Sequence, residues 1–199
     1  MQLTEGGLYH IYNTGIDKQT IFSSPDNYIY FLKKVRKYLL PVCDILCYCL
    51  VSNHFHFLIH ANQKSVIPTK AGALEMQLVS ASFKHILSSY TKAYNKMYRR
   101  TGSLFVQNTH CKDVSATANN SRVGVICFNY IHQCPLVIGT VGKIEDWQYS
   151  SFKDYIGLRN GTLCNKQKAI ELLRLVEDEI YREAYNILDK DVIRNLLFN

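Results

Sequence analysis

The sequence predicts an α+β chain with the ferredoxin-like split β-α-β arrangement, an antiparallel sheet with helices on one face, and three observations carry that reading. Apolar runs of strand length alternate with amphipathic runs of helix length in the order β-α-β-β-α-β. Two strand runs, residues 44–51 (DILCYCLV) and 54–60 (HFHFLIH), are separated only by Ser52 and Asn53, a spacing that calls for a tight hairpin. Helical patterns over residues 119–134 and 166–189 bracket the end of this series, which adds a tyrosine-bearing helix and a C-terminal helical extension to the core.

Each element has a local reason. GLYHIYNTG, from Gly7 to Gly15, joins β-favouring residues to a turn signal and predicts a strand near residues 7–13. Ser24 caps and Pro25 opens a helix that Pro41 stops after Leu40. Its apolar positions Ile29, Leu32, Val35 and Leu39 recur at helical spacing, with Lys33, Lys34, Arg36 and Lys37 on the other side. Residues 61–72 hold proline, glycine and polar side chains and read as a loop. A long helix is expected from Ala73 to Arg99, with Phe83, Leu87, Tyr90 and Tyr94 as its buried stripe. After Thr101-Gly102, residues 104–114 read as a strand, and Asn119–Cys134 as a helix ended by Pro135. Residues 166–189 read as one charged amphipathic helix. Residues 1–157 then make the core domain, and 158–199 an extension within the same globule or appended to it.

With 199 residues and 47% hydrophobic side chains, the chain can bury one substantial core. No run approaches the ~20 consecutive apolar residues of a membrane span, and MQLTEGG lacks the regions of a signal peptide, so the expectation is a cytoplasmic protein without a membrane partner. Seven cysteines, at 43, 47, 49, 111, 127, 134 and 164, form no CxxC pair and read as reduced thiols; Cys47 and Cys49, alternating on an apolar strand, read as small buried hydrophobes rather than zinc ligands. The net charge of +7 favours an anionic partner. Residues 1–115 hold 13 Lys and Arg against 6 Asp and Glu, while residues 116–199 hold 10 of each, so the whole excess lies in the first part.

Side chains alternate faces along a strand, so His54, His56, Leu58 and His60 point one way and Phe55, Phe57 and Ile59 the other. With the phenylalanine face packed under helices, the histidine face would be the open face of the sheet, where two neutral imidazoles can hold a cation and leave coordination positions for substrate. Taken alone, H-x-H is more often a satisfied sheet residue beside an accident of pattern. On the later helix, Val123, Ile126, Cys127, Tyr130 and Cys134 fall on one stripe, where a tyrosine is more often core packing than a nucleophile.

The blocks taken together are more specific. VSNHFHFLIH (Val51–His60), YHIYNTG (Tyr9–Gly15) with Ile21-Phe22, SSYTKAYNKMYRRTGSLF (Ser88–Phe105), YIHQCP (Tyr130–Pro135) and WQYSSFKDYIG (Trp147–Gly157) resemble successive blocks of the REP-associated tyrosine transposases, single-tyrosine HUH enzymes of the IS200-like group. The resemblance spans about residues 7–157. It implies that His54 and His56 hold a divalent metal, Mg²⁺ or Mn²⁺, and that Tyr130 attacks a DNA phosphate to form a 5′-phosphotyrosine bond that conserves the energy of the broken linkage. Cys134 stands where the family carries an amide that serves as third ligand, and Thr14 where it often carries Arg. The implied partner is single-stranded DNA bearing a hairpin, from a repetitive extragenic palindrome (REP) or an insertion-sequence end, met by a monomer or homodimer.

Candidate DNA contacts are Lys84, Lys92, Lys96, Arg99 and Arg100, on or just past the long helix with Tyr90, Tyr94 and Tyr98 interleaved, together with Lys112. Core tyrosines beside solvated lysines are the plainer alternative. Three functions fit: an active single-strand transposase, a catalytically decayed hairpin-DNA-binding protein of the same family, and an RNA-binding ferredoxin-like domain with a coincidental H-x-H.

Overall fold

The computed structural model describes residues 1–71, 74–115 and 122–198. In chain order the elements are β1 (Leu8–Thr14), α1 (Pro25–Tyr38), β2 (Asp44–Val51), β3 (His54–His60), β4 (Pro68–Ala71), β5 (Leu74–Gln77), α2 (Leu78–Met97), β6 (His110–Asp113), α3 (Val123–Val137), α4 (Phe152–Tyr155), α5 (Lys166–Leu173), α6 (Ile180–Ala184) and α7 (Lys190–Ile193). The main sheet has the order β2-β3-β1-β6 with antiparallel neighbours, and β4 and β5 form a separate two-stranded hairpin. β1 thus lies between β3 and β6, which is the split β-α-β arrangement expected from the sequence.

Local chemistry sets the boundaries. Ser24 and Asn27 close a capping box at the start of α1, with Pro25 in the first turn. At Gly15 a β-carbon would stand 2.3 Å from the Gln19 carbonyl oxygen, so only glycine lets β1 turn into the following loop. The β2–β3 hairpin turns at Ser52-Asn53, and its register sets Val51 opposite His54 and Cys49 opposite His56.

One face of the sheet presents Tyr9, Ile11, Tyr48, Leu50, Phe55, Phe57 and Ile59 to α1 and α2, which bury Phe31, Val35, Phe83, Ile86 and Tyr90 against it. The other face is also covered. Leu8, Cys47, Cys49, Val51 and Leu58 lie beneath Val123, Cys127, Phe128 and Ile131 of α3, and Ala169, Leu173, Ile180 and Ala184 of α5 and α6 close over that layer. The expected open histidine face is therefore a second core. The reason is α3 itself, which is apolar nearly all round and can be stable only when buried on both sides.

Other boundaries differ as well. Within residues 61–72 a 3₁₀ turn (Gln63–Val66) and β4 replace the expected loop; β5 occupies the expected first turn of the long helix, whose proposed start at Ala73 lies outside the described residues, and α2 begins at Leu78. The strand expected over 104–114 shortens to β6, with one isolated bridge between Gly15 and Phe105. The expected start of α3 at Asn119 also lies outside the described residues. Pro135 does not end α3, because its fixed φ is helical and it forfeits one hydrogen bond only; the helix runs to Val137, ahead of Gly139 at φ +74°. The single helix expected over 166–189 is broken at Arg174, whose φ of +52° stops α5. Tertiary contacts override its periodicity: the Gln133 amide donates to the Ala184 and Asn186 carbonyls at 3.0 and 2.8 Å, bending the chain around the end of α3. Among the described residues no helix is long and apolar enough to cross a membrane.

Candidate metal and tyrosine site

Three side chains from two elements converge. His54 and His56 leave β3 on the same face, and Cys134 reaches them from α3, so that the imidazole nitrogens and the thiol sulfur all lie within 4.8 Å of one another. His54 Nε2 is 3.3 Å from Cys134 Sγ. Each imidazole is oriented through its other nitrogen. His54 Nδ1 donates to Asn53 Oδ1 at 2.7 Å, and His56 Nδ1 lies 2.9 Å from His10 Nε2 across the sheet. In the tautomer with the proton on His56 Nδ1, His10 accepts and His56 Nε2 keeps a bare lone pair; that buried atom has no hydrogen-bond partner. An oriented, unpartnered imidazole nitrogen facing a second imidazole and a thiol is what a cation site requires. The donor set fits Mg²⁺ poorly, because that ion takes hard oxygen ligands.

The electrostatics favour ligation over charge. Burial lowers the His56 pKa, against the opposing pull of Cys134, and burial followed by the His56 imidazole lowers that of His10 well below the ordinary value. Both rings therefore stay neutral at pH 7. Cys134 is displaced the other way for a thiol: the Cys49 hydrogen bond pulls its pKa down against burial, and His54 and His56 add to the effect.

Tyr130 stands one helical turn before Cys134 and so faces the same point. Its ring lies 5.3 Å from that of His56 and 6.1 Å from that of His10, edge-on to each. Burial, followed by Cys134, Cys127, Cys49 and Tyr12, raises its pKa above the usual phenol range, which holds the hydroxyl un-ionised. Phe198 covers the group from the C-terminal side, with ring centroids 5.6 Å from Tyr130, 5.8 Å from His10 and 5.0 Å from Tyr12. The two other polar groups of the helix turn elsewhere. His132 Nε2 pairs with Ser151 Oγ at 2.8 Å, and Gln133 holds the C-terminal segment, so neither serves as the third ligand.

The basic residues are more dispersed. Lys84 and Lys92 line a cavity of about 860 Å³ between α2 and residues 102–109, on the side of the sheet away from the histidines. Lys96 and Arg99 are exposed. Arg100 is partly committed to the fold, donating to Gln19 Oε1 at 3.0 Å and lying over the Tyr94 ring. Lys112 is half-buried on β6, opposite His10 in register and therefore on the histidine face. Tyr90 and Tyr94 are buried, with hydroxyls bonded to the Ile21 carbonyl and to Ser23 and Thr20, so stacking on bases is not open to them; Tyr98 is exposed and donates to Asn27.

Sequence reasoning missed His10, Asn53 as an orienting group, and Phe198. The signal for His10 was present, since alternation in YHIYNTG puts it on one face with Tyr12, and pairing β1 with β3 sets Tyr12 opposite His56. For Phe198 the sequence holds no such signal.

No family model matches the sequence, and no curated protein matches it. Among solved structures, a REP-associated tyrosine transposase bound to a REP hairpin superposes with a TM-score of 0.55 at 14% identity, covering 80% of this chain and 86% of that one. This chain therefore shares the α+β fold of that transposase.

Proposed function

We propose that the chain is a single-tyrosine HUH strand transferase that cleaves and rejoins hairpin-bearing single-stranded DNA. The observation that carries this reading is the placement of Tyr130 and Cys134 one turn apart on α3, over the His54–His56 pair: one helix supplies both a nucleophile and a ligand to a cation site. The shared fold with a transposase bound to a REP hairpin supports the same partner class. A divalent cation bound there would stabilise negative charge on the reacting phosphate and favour ionisation of a nearby phenol.

The chain's own groups do the rest. Tyr130 Oη attacks the phosphorus, the bond from phosphorus to the 3′ oxygen breaks, and the departing 3′ hydroxyl takes up a proton as the tyrosine loses one. The phosphotyrosyl bond keeps the downstream segment attached through its new 5′ phosphate, and attack by a 3′ hydroxyl reverses the step without ATP. Neutral His10 and Asn53 hold the two ligand imidazoles in position. The excess positive charge of residues 1–115 neutralises the DNA backbone, with Lys84, Lys92, Lys96, Arg99, Arg100 and Lys112 as the proposed contacts.

A second reading, a hairpin-binding protein without cleavage, is favoured by the ring of Phe198 against Tyr130 and His10. Single-stranded oligonucleotides with a hairpin and randomised flanks, incubated with the full chain and Mn²⁺, Co²⁺ or Zn²⁺, distinguish the two. Covalent attachment that survives denaturant, present in the wild type and lost in a folded Tyr130→Phe protein, is the expected result. Attachment that persists in Tyr130→Phe overturns the assignment of the nucleophile. Binding without attachment under every metal gives the second reading first place.

A further inference from the structure

We propose that His54, His56 and Cys134 form a site selective for a thiophilic divalent cation of the Zn²⁺ class, with Cys49 bracing the Cys134 sulfur from outside the coordination sphere. The proposal shares its ligand set with the strand-transfer reading and rests on none of its chemistry.

The donor atoms decide the ion. Two imidazole nitrogens and a sulfur are borderline and soft ligands; Mg²⁺ asks for near-octahedral oxygen, and Mn²⁺ lies at the weak end of the order in which nitrogen and sulfur sites prefer divalent metals. Zn²⁺ takes this set in tetrahedral sites with Zn–N of about 2.05 Å and Zn–S of about 2.3 Å, which sets ligand atoms about 3.4 Å apart for two nitrogens and about 3.6 Å for nitrogen and sulfur. The observed separation of 3.3 Å between His54 Nε2 and Cys134 Sγ is close to this, and the widest separation in the group, within 4.8 Å, needs at most about 1.4 Å of contraction. Rotation of side chains covers that range. His56 Nε2, buried and unpartnered, is the atom the contraction would satisfy.

The surroundings support a sulfur ligand. Cys49 is wholly buried on β2 directly opposite His56 in the sheet register, in the same buried cluster as Cys134. From there an S–H donated to a ligating thiolate would do for sulfur what Asn53 and His10 do for the imidazoles. All three ligands then have an outer partner. Three protein ligands would leave a fourth position, the open coordination of a catalytic zinc centre rather than the closed set of a structural one, and the Tyr130 ring lies 5.3 Å from that of His56.

The test uses the full chain, stripped by chelator and without DNA, with Co²⁺ as the probe. One equivalent of Co²⁺ is expected to give a thiolate-to-cobalt charge-transfer band and the intense visible bands of four-coordinate cobalt. Zn²⁺ should bleach both at one equivalent, and a large excess of Mg²⁺ should leave them unchanged. Cys134→Asn should abolish the charge-transfer band and weaken Zn²⁺ by more than about 100-fold, beyond the 10–100-fold that loss of an outer partner costs. Cys111→Ser, remote from the ligands, should keep the spectrum. If Cys134→Asn does not fold, His54→Ala serves in its place, with loss of the four-coordinate bands expected. A wild-type protein without the charge-transfer band, a band that survives Cys134→Asn, or equal competition by Mg²⁺ overturns the proposal. A protein that binds Zn²⁺ yet never attaches DNA overturns only the strand-transfer reading, and Mg²⁺-dependent attachment without the cobalt band overturns only this one.

Discussion

Removing the Arg159 guanidinium should cost about 3–5 kcal/mol of stability, because it strands a buried carboxylate. Asp154 is 2% exposed, and Arg159 grips it with Nε at 2.6 Å and a second guanidinium nitrogen at 2.8 Å, a bidentate pair. The same guanidinium donates to the carbonyls of Gln148 and Ser150, and the Gly161 N–H completes the carboxylate's shell at 3.0 Å. In Arg159→Ala only the Gly161 donor remains of these contacts, and two carbonyls lose their partner as well. For a chain of this size each kcal/mol moves the melting temperature by about 2–4 °C, so the expected drop is about 6–20 °C. The effect reaches the candidate site through packing: Phe152 and Tyr155, which flank Asp154, support Phe128 and His132 on the helix that carries Tyr130.

Urea unfolding of wild type, Arg159→Ala, Arg159→Lys and the double variant Asp154→Asn/Arg159→Ala measures this. Lysine keeps the charge without the fork and should lose less than alanine. The double variant is the sharper comparison. Asparagine removes the uncompensated charge, so it should be more stable than Arg159→Ala alone, with a coupling energy of about 1–3 kcal/mol. A loss below about 1 kcal/mol in Arg159→Ala, or a double variant less stable than the single one, refutes the reasoning, since either result means the carboxylate was never dependent on its partner.

His132 should make the fold acid-sensitive: burial lowers its pKa from 6.5 to about 3, so the unfolded chain binds a proton that the folded chain refuses, and stability held above pH 6.5 falls by about 3 kcal/mol on reaching pH 4. Urea unfolding of wild type and His132→Asn at pH 7, 5.5 and 4 isolates this share, and equal slopes in the two proteins count against it. Phe198→Ala should loosen the C-terminal cover, since a ring 38% exposed yields about 1–2 kcal/mol by burial and edge contacts, which is a 5–30-fold rise in the open population. Hydrogen exchange of amides 190–198 reads that change, and protection factors equal to wild type contradict it.

The sequence carried the sheet because strand signals there are local. Alternation in HFHFLIH, the two-residue turn at Ser52-Asn53 and the capping pair around Pro25 each act within a few residues, and each appears as expected. What failed depended on partners distant in the chain. The histidine face looked open because nothing near His54 says what lies above it, yet DILCYCLV is apolar at consecutive positions, the pattern of a strand buried on both faces. The helical period over 166–189 was real, but Gln133 and the end of α3 bend that segment at a place no local rule marks. His54 and His56 were legible as a pair from spacing alone. Tyr130 was singled out by its block, not by its stripe, and the orienting role of His10 became visible only through the register of β1 against β3.

The same burial that makes the second core stable sets a condition on any chemistry there. His10 and His56 are held neutral, Tyr130 is held protonated, and the one group displaced toward ionisation, Cys134, is an incipient anion. A phosphodiester brought to Tyr130 would meet neutral rings and a thiol inclined to negative charge, in surroundings where an uncompensated anion is costly. Lys84 and Lys92 lie across the sheet and offer attraction at a distance but no compensation at the phosphorus, and of the proposed contacts only Lys112, paired with His10, is placed on the histidine face. Affinity and reaction thus draw on different charges. On the proposed reading, the basic surface of residues 1–115 holds a strand whether or not the site is competent, whereas attack by Tyr130 needs a cation on the two imidazoles and the thiol. On the strand-transfer reading, sulfur at position 134 therefore acts on the reaction far more than on DNA binding, and it moves the choice of ion toward one that sulfur holds well.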